Sequence, residues 1–197
     1  AIVKYTTVPG TKDVQFPQIV NSSAVKRGDE IVVSSGTYVE SISFQGKDLT
    51  IRGESGALMT TIAPSGSTPA VTIDDGEDDA VLEGFTIAPT GGARGLFIEG
   101  TSPTIRDSVI DGAGTLGTGQ GGGAYVFAGA PDFIDVNFQD NRSAMGADLY
   151  ITSGSAVSLT SCTLEGGQSN YGGSLYVLNS SVTLTLVDVE ESTSEYA

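Results

Sequence analysis

Asp107 and Asp135 occupy matching positions in two strand-like segments, and Arg142 follows a short way on. Two carboxylates whose surroundings hold their pKa values apart can share acid and base roles at one bond. Asp107, Asp135 and Arg142 are therefore the catalytic candidates, should the chain be an enzyme. A second cluster, Asp74, Asp75, Glu77, Asp78 and Asp79, gathers oxygen ligands in one turn around Gly76. A calcium ion takes six to eight such oxygens. The turn's spacing matches neither the EF-hand loop nor the glycine-rich nonapeptide calcium repeat. The expectation is a solvated acidic turn, with Ca2+ as the only cofactor in view. A third group is aromatic: Phe97, Tyr125, Tyr150 and Tyr176 recur at a nearly constant interval. Rings lined up on a surface can pack against sugars or a protein partner.

Composition removes several other chemistries. The 197 residues contain no His, which excludes Ser-His and Cys-His nucleophiles and His-based metal sites. The single Cys, Cys162, excludes an internal disulfide framework and reads as a small buried hydrophobe. Nine Lys and Arg face 24 Asp and Glu, a formal charge of −15. All four Lys lie within the first 47 residues, and six acidic residues but no basic one follow Arg142. Nucleic acid is thus an unsuitable partner, because phosphate contacts come from Lys and Arg. The glycine-rich stretches Gly91–Gly95 and Gly112–Gly123 lack G-K-[ST] and the strand-to-helix setting of a phosphate cradle, and read as loops. No apolar run is long enough for a transmembrane helix, so no membrane insertion by this segment is expected. No secretory signal is visible at Ala1-Ile2-Val3-Lys4, and a mature form or a fragment of a longer chain is the expectation.

The elements that carry these residues follow from internal repetition. Ala80–Ile87, Pro103–Ile110, Pro131–Phe138, Val157–Leu164 and Val182–Val189 align without gaps, with starts about 25 residues apart. Three apolar columns run through them. One is Leu82, Ile105, Phe133, Leu159 and Leu184; another is Phe85, Ser108, Val136, Cys162 and Val187; the third is Ile87, Ile110, Phe138, Leu164 and Val189. A second set interleaves at Val71–Ile73, Leu96–Ile98, Ala124–Val126, Leu149–Ile151 and Leu175–Val177. Alternation within each segment means a strand with one buried face. Repetition at a fixed spacing means that each segment stacks on the one before. The abundant Gly, 27 residues, supplies corners. The predicted fold is all-β: a right-handed parallel β-helix of about six to seven coils. Residues 1–29 form an N-terminal cap with a short helix, residues 30–190 the β-helix, and residues 191–197 an acidic tail. Flanking inward residues turn Phe97, Tyr125, Tyr150 and Tyr176 outward, into a ladder roughly 15 Å long at a strand spacing of about 4.8 Å. On that reading Tyr150→Ala removes ligand binding with little loss of stability. The alternative is self-stacking of the rings beneath the loops Gly112–Gly123 and Gly166–Gly173.

Gln15 to Val33, followed by Ser35-Gly36-Thr37-Tyr38-Val39-Glu40 and Leu49–Gly53, resembles the opening of pectin-lyase-like β-helices. Ser35 stands where that pattern carries Pro. The resemblance implies a capped first coil and, in enzymes of that class, Asp- or Arg-based attack on polysaccharides. Their signature motifs are missing here. Gly121-Gly-Gly-Ala-Tyr-Val126, Gly172-Gly-Ser-Leu-Tyr-Val177 and Phe138-Gln-Asp-Asn141 resemble the G-G-A and F-x-x-N repeats of polymorphic outer-membrane and autotransporter-type surface proteins. That resemblance implies an extracellular or cell-surface location. The leading expectation is a non-catalytic, adhesin-like module for a glycan or surface protein. A polysaccharide-active enzyme and a structural spacer in a larger surface protein are the alternatives. The last strand pattern, Val182–Val189, has no evident cap, so truncation is expected, and oligomerisation through the β-surface or the C-terminal end stays open.

Overall fold

A computed structural model describes residues 16–196. Residues 1–15 of the expected cap, and Ala197 of the tail, lie outside the described residues. The chain forms an all-β parallel solenoid of about 6 turns with one short helix, Phe16–Asn21. Every strand pairing is parallel, and each joins a segment to its counterpart one coil away.

Three faces surround a narrow core. The longest begins at Glu30–Val33 and passes through Thr50–Gly53, Val81–Glu83, Thr104–Asp111, Asp132–Gln139 and Ala156–Thr160 to Ser181–Thr185. The second runs from Ile42–Ser43 through Val71–Ile73, Leu96–Glu99, Ala124–Phe127 and Leu149–Thr152 to Leu175–Leu178. The third stacks Arg142–Met145, Gln168–Tyr171 and Thr193–Tyr196. The apolar columns read from the sequence fall in register: Ile105 opposes Phe133, Phe133 opposes Leu159, and Leu159 opposes Leu184. Ile110, Phe138 and Leu164 do the same, and all are fully buried. Phe133 and Phe138 meet edge to face, with ring centroids 5.5 Å apart. This geometry adds to their burial.

Corners, as much as strands, set the coil. Gly84, Asp107, Asp135, Ser161 and Leu186 stack at one corner, and the last four have φ between 50° and 55°. Gly112, Asp140, Gly166 and Glu191 stack at a second, again left-handed. Asp and Gly tolerate this backbone region better than other residues, because Gly has no Cβ and a short polar side chain can bond locally.

The first coil is closed. Ile19 and Val20 of the helix, with Val25 after it, are buried in the core. Ala24, a candidate for the same face, is exposed. Lys47 donates from Nζ to the carbonyls of Val20 and Ser22. Those carbonyls belong to the helix end and the turn after it, which have no further turn of helix to receive them. Leu184, Val189 and Val177 continue buried columns yet are 47%, 57% and 37% exposed.

Candidate functional site

The aromatic column forms, in register. Phe97 opposes Tyr125, Tyr125 opposes Tyr150, and Tyr150 opposes Tyr176. Ring centroids are 5.7, 5.5 and 5.4 Å apart, with planes within 7° of parallel. Ring faces are therefore spent on one another along the stack, and ring rims face outward. Phe127, two residues along from Tyr125, lies parallel to it at 6.5 Å and widens the strip. Tyr150 is only 4% exposed, whereas Phe97, Tyr125 and Tyr176 are half-buried. The expectation that Tyr150 is an accessible contact residue is corrected: Tyr150 is buried, rim included, whereas Tyr125, also stacked on both sides, is half-buried. Tyr176 is the last ring, so its outer face carries no further ring among the described residues.

Arg94 locks one end of this strip. Its guanidinium lies 4.6 Å from the Tyr125 ring centre and 5.9 Å from that of Phe97. Nε donates to the carbonyl of Gly121 at 3.0 Å and Nη2 to that of Gln120 at 2.7 Å. Burial pulls the guanidinium below its usual pKa, and Tyr125 acts in the other direction. The Tyr125 phenol is raised, chiefly by burial and then by Tyr150, with Arg94 opposing. The stretch Gly112–Gly123 is partly ordered against the third face, where Gly114 bridges to Arg142 and Gln120 to Met145. Gly166–Gly173 contains the strand Gln168–Tyr171 and is no free loop.

Three glycines explain the G-G-x signature that precedes these strands. Gly121, Gly146 and Gly172 stack with φ of 59°, 58° and 79°. A Cβ on Gly146 would meet the Tyr176 backbone N at 2.8 Å, and one on Gly172 the Tyr176 ring at 3.0 Å. Glycine here admits both the left-handed turn and the close approach of the ladder strand.

Asp107 and Asp135 meet at one corner, on adjacent coils. Their left-handed backbone gives each a structural reason to be Asp. Arg142 lies beyond the next corner, on the third face, so the three candidates are not brought together there. In the acidic turn, Glu77 is fully buried and accepts hydrogen bonds from the backbone N–H groups of Gly46 and Asp75, at 2.8 and 2.7 Å. Asp78 accepts from the Ser102 N–H at 3.0 Å, and the Asp79 N–H donates to Asp48. Burial raises the Asp74 carboxyl, helped by Asp75 and Glu99. The turn thus ties neighbouring coils together. Among the described residues no three His, Cys, Asp or Glu are grouped to hold a metal ion.

A buried polar knot went unread in the sequence. Asn141 is fully buried. It donates from Nδ2 to Asp148 Oδ1 at 2.8 Å and to the Ile110 carbonyl at 3.0 Å, and accepts from the Ala113 N–H at 3.0 Å. Asp148 Oδ2 is buried without a hydrogen-bond partner. The Ser174 hydroxyl lies on that side of the knot but shares its hydrogen bond with Ser192. Burial pushes the Asp148 carboxyl up to about 6, against the pull of Ser174 and Asn141, and Asp140 adds to the rise. The Asn of F-x-x-N is thus the pin joining three coil segments. Cys162 is buried between Val136 and Val187, its thiol raised mainly by burial.

The class of protein that fold and site define is a parallel β-helix with an aromatic ladder on one face. No protein-family model matches the chain, and neither curated proteins nor solved structures provide a match.

Proposed function

We propose that this chain is a non-catalytic recognition module of an extracellular or cell-surface protein, adhesin-like in use. One observation supports this above others: four aromatic rings in register form a rigid stack in which Phe97, Tyr125 and Tyr176 reach the surface and Tyr150 is buried, pinned by Arg94 and widened by the part-exposed Phe127. A rigid aromatic surface loses little entropy on binding. Because the ring faces are used within the stack, the strip suits a protein partner that packs along the rims. Among the described residues of the strip, only the end rings Phe97 and Tyr176 have a face that no other ladder ring covers. The likeness of the first coil to pectin-lyase-like proteins, and of residues 121–178 to autotransporter-type repeats, is part of this proposal. Asp107 and Asp135 serve as corner residues in it, and Ca2+ is not required.

The test is a glycan and surface-protein array probed with the purified chain, with and without Ca2+, and a product assay on every hit. Saturable binding that Tyr176→Ala and Phe127→Ala reduce about tenfold, without product, supports the module. Product formation abolished by Asp107→Asn or Asp135→Asn would establish a polysaccharide-active enzyme instead.

A further inference from the structure

The aromatic face carries an uneven charge that narrows the choice of partner, and the inference rests on the recognition reading above. Val71–Ile73, Leu96–Glu99 and Ala124–Phe127 are neighbours in one sheet. Thr72, Phe97 and Tyr125 form one outward column in register, and Glu99 opposes Phe127 in the next. Asp74 follows the pairing of Ile73 with Ile98, so it extends that second column beside Glu99. The patch lies inside the stack, with Ile42–Ser43 on one side and Leu149–Thr152 on the other. Asp74, Glu99 and Phe127 are exposed, and Phe97 and Tyr125 are half-buried. One part of the patch is thus aromatic and the part beside it acidic.

No cation of the described chain neutralises these carboxylates. Among the described residues the ion pairs join Arg27 to Asp48 and Asp79, Arg52 to Glu30, and Arg106 to Glu83. Arg94, at the other edge of the face, is committed to the carbonyls of Gln120 and Gly121 and to the Tyr125 ring. Asp75 adds a further exposed carboxylate, and after burial it and Glu99 raise the Asp74 carboxyl. Uncompensated negative charge beside apolar rings selects a long side chain with an apolar stem and a cationic head. A second copy of this chain is a poor occupant. Its matching patch repeats the same charge, and its Lys26 and Lys47 are bonded to backbone carbonyls near the cap.

We infer that Asp74, Glu99, Phe97, Tyr125 and Phe127 form a docking patch for a basic segment of a partner protein. A Lys or Arg of that segment lays its stem along the rims of Tyr125 and Phe127 and sets its head between Asp74 and Glu99. The rings supply apolar area, and the carboxylates supply specificity and a faster encounter.

The experiment uses the whole chain and a fluorescein-labelled peptide alternating Leu and Lys, with an alternating Leu and Glu peptide as its counterpart. Anisotropy should show the basic peptide binding at least about tenfold more tightly, and more weakly as salt rises. Asp74→Asn with Glu99→Gln, both at exposed positions, should weaken it about tenfold. A chain of net charge −15 attracts cations everywhere, so an equal charge change elsewhere is the control. Asp132→Asn with Glu165→Gln, exposed on the longest face, should leave binding within about twofold. Equal binding of the two peptides, or an equal loss from the two pairs of substitutions, would overturn the inference. So would a concentration-dependent dimer in sedimentation that excludes the peptide. A protein partner that responds to Phe127→Ala but not to Asp74→Asn with Glu99→Gln would overturn this inference and leave the recognition reading standing. No response to Phe127→Ala from the peptide or from any array hit would remove both.

Discussion

The Arg94 guanidinium sits 4.6 Å over the Tyr125 ring while its nitrogens are bonded to the carbonyls of Gln120 and Gly121. One side chain thereby ties the ladder to the end of the Gly112–Gly123 stretch. Arg94→Ala removes the cation–π contact, worth about 1–2 kcal/mol when desolvated, and leaves two carbonyls without their donor. A loss of about 2–3 kcal/mol is expected in urea unfolding. Arg94→Lys should recover only part of it, because an ammonium cannot cover the ring and serve both carbonyls in one plane. Full recovery by Lys would show that charge alone matters.

Asp148 makes stability depend on pH in an unusual direction. Its carboxyl is about 6 in the fold, against 3.8 in an unperturbed chain. The folded state therefore holds its proton more tightly than the unfolded state does. Its contribution is complete below about pH 4 and lost as pH rises towards 6. The difference corresponds to about 3 kcal/mol. Asp148→Asn, which has no charge to desolvate, should be more stable than the parent above pH 6, and the gap should close towards pH 4. Melting temperatures at pH 4, 5, 6 and 7.5 test this, read as the difference between the two proteins so that other carboxylates cancel. A gap that does not change with pH would mean that folding leaves the Asp148 pKa unshifted.

Asn141 is the structural counterpart of that carboxylate. Asn141→Ala strands the Ala113 N–H, the Ile110 carbonyl and Asp148 Oδ1 in a buried place. Each orphaned group costs about 1–3 kcal/mol. The variant should lose at least about 3 kcal/mol, and amide exchange should quicken first at Ala113. Asn141→Asp should be worse at pH 7.5 than at pH 5, because it sets a second carboxylate against Asp148.

The strand columns were legible in the sequence because burial in a narrow stack demands an apolar residue at nearly every inward position of those columns, Ser108 being the exception, with its hydroxyl bonded to the Phe85 N–H and the Arg106 carbonyl. Leu82, Ile105, Phe133 and Leu159 could hardly be polar there. The corner at Asp107 and Asp135 was harder. A left-handed φ admits Gly, Asp, Ser and even Leu186, so the column has no shared side-chain chemistry. Two Asp in it looked like a reactive pair. Asn141 and Asp148 were hidden for a different reason: their partners lie in segments set by coil geometry rather than by local pattern. The ladder was readable from alternation, but the burial of Tyr150 was not, because alternation gives Tyr125 and Tyr150 the same outward position although only Tyr150 is buried.

The corner residues give a prediction of opposite sign to most substitutions. Leu186 has φ of 55° and is 80% exposed, so it carries the left-handed strain without burying its side chain. Leu186→Asn should stabilise the chain by up to about 1 kcal/mol, since Asn enters this region more easily. Asp107→Val should lose about 1–2 kcal/mol, whereas Asp107→Asn should be nearly neutral. Denaturant midpoints decide both. If Asp107→Asn destabilised as much as Asp107→Val, the carboxylate itself, and not the backbone, would be the reason for Asp at this corner.

Tyr150 and Tyr176 separate structure from recognition. Tyr150 is stacked on both sides and 4% exposed. Tyr150→Ala should therefore act as a core truncation and cost about 3 kcal/mol or more. Tyr176 is stacked on one side and half-buried on the last rung, so Tyr176→Ala should cost less than half as much. Binding to any partner found on the strip should respond in the reverse order once each variant is held at a temperature where it is folded. Tyr176→Ala should weaken binding about tenfold, and Tyr150→Phe, which keeps the stack and removes only the hydroxyl, should leave it unchanged. If Tyr150→Phe weakened binding while Tyr176→Ala did not, the partner would have to contact the buried middle of the ladder. The rim-facing geometry described above could not then be the recognition surface.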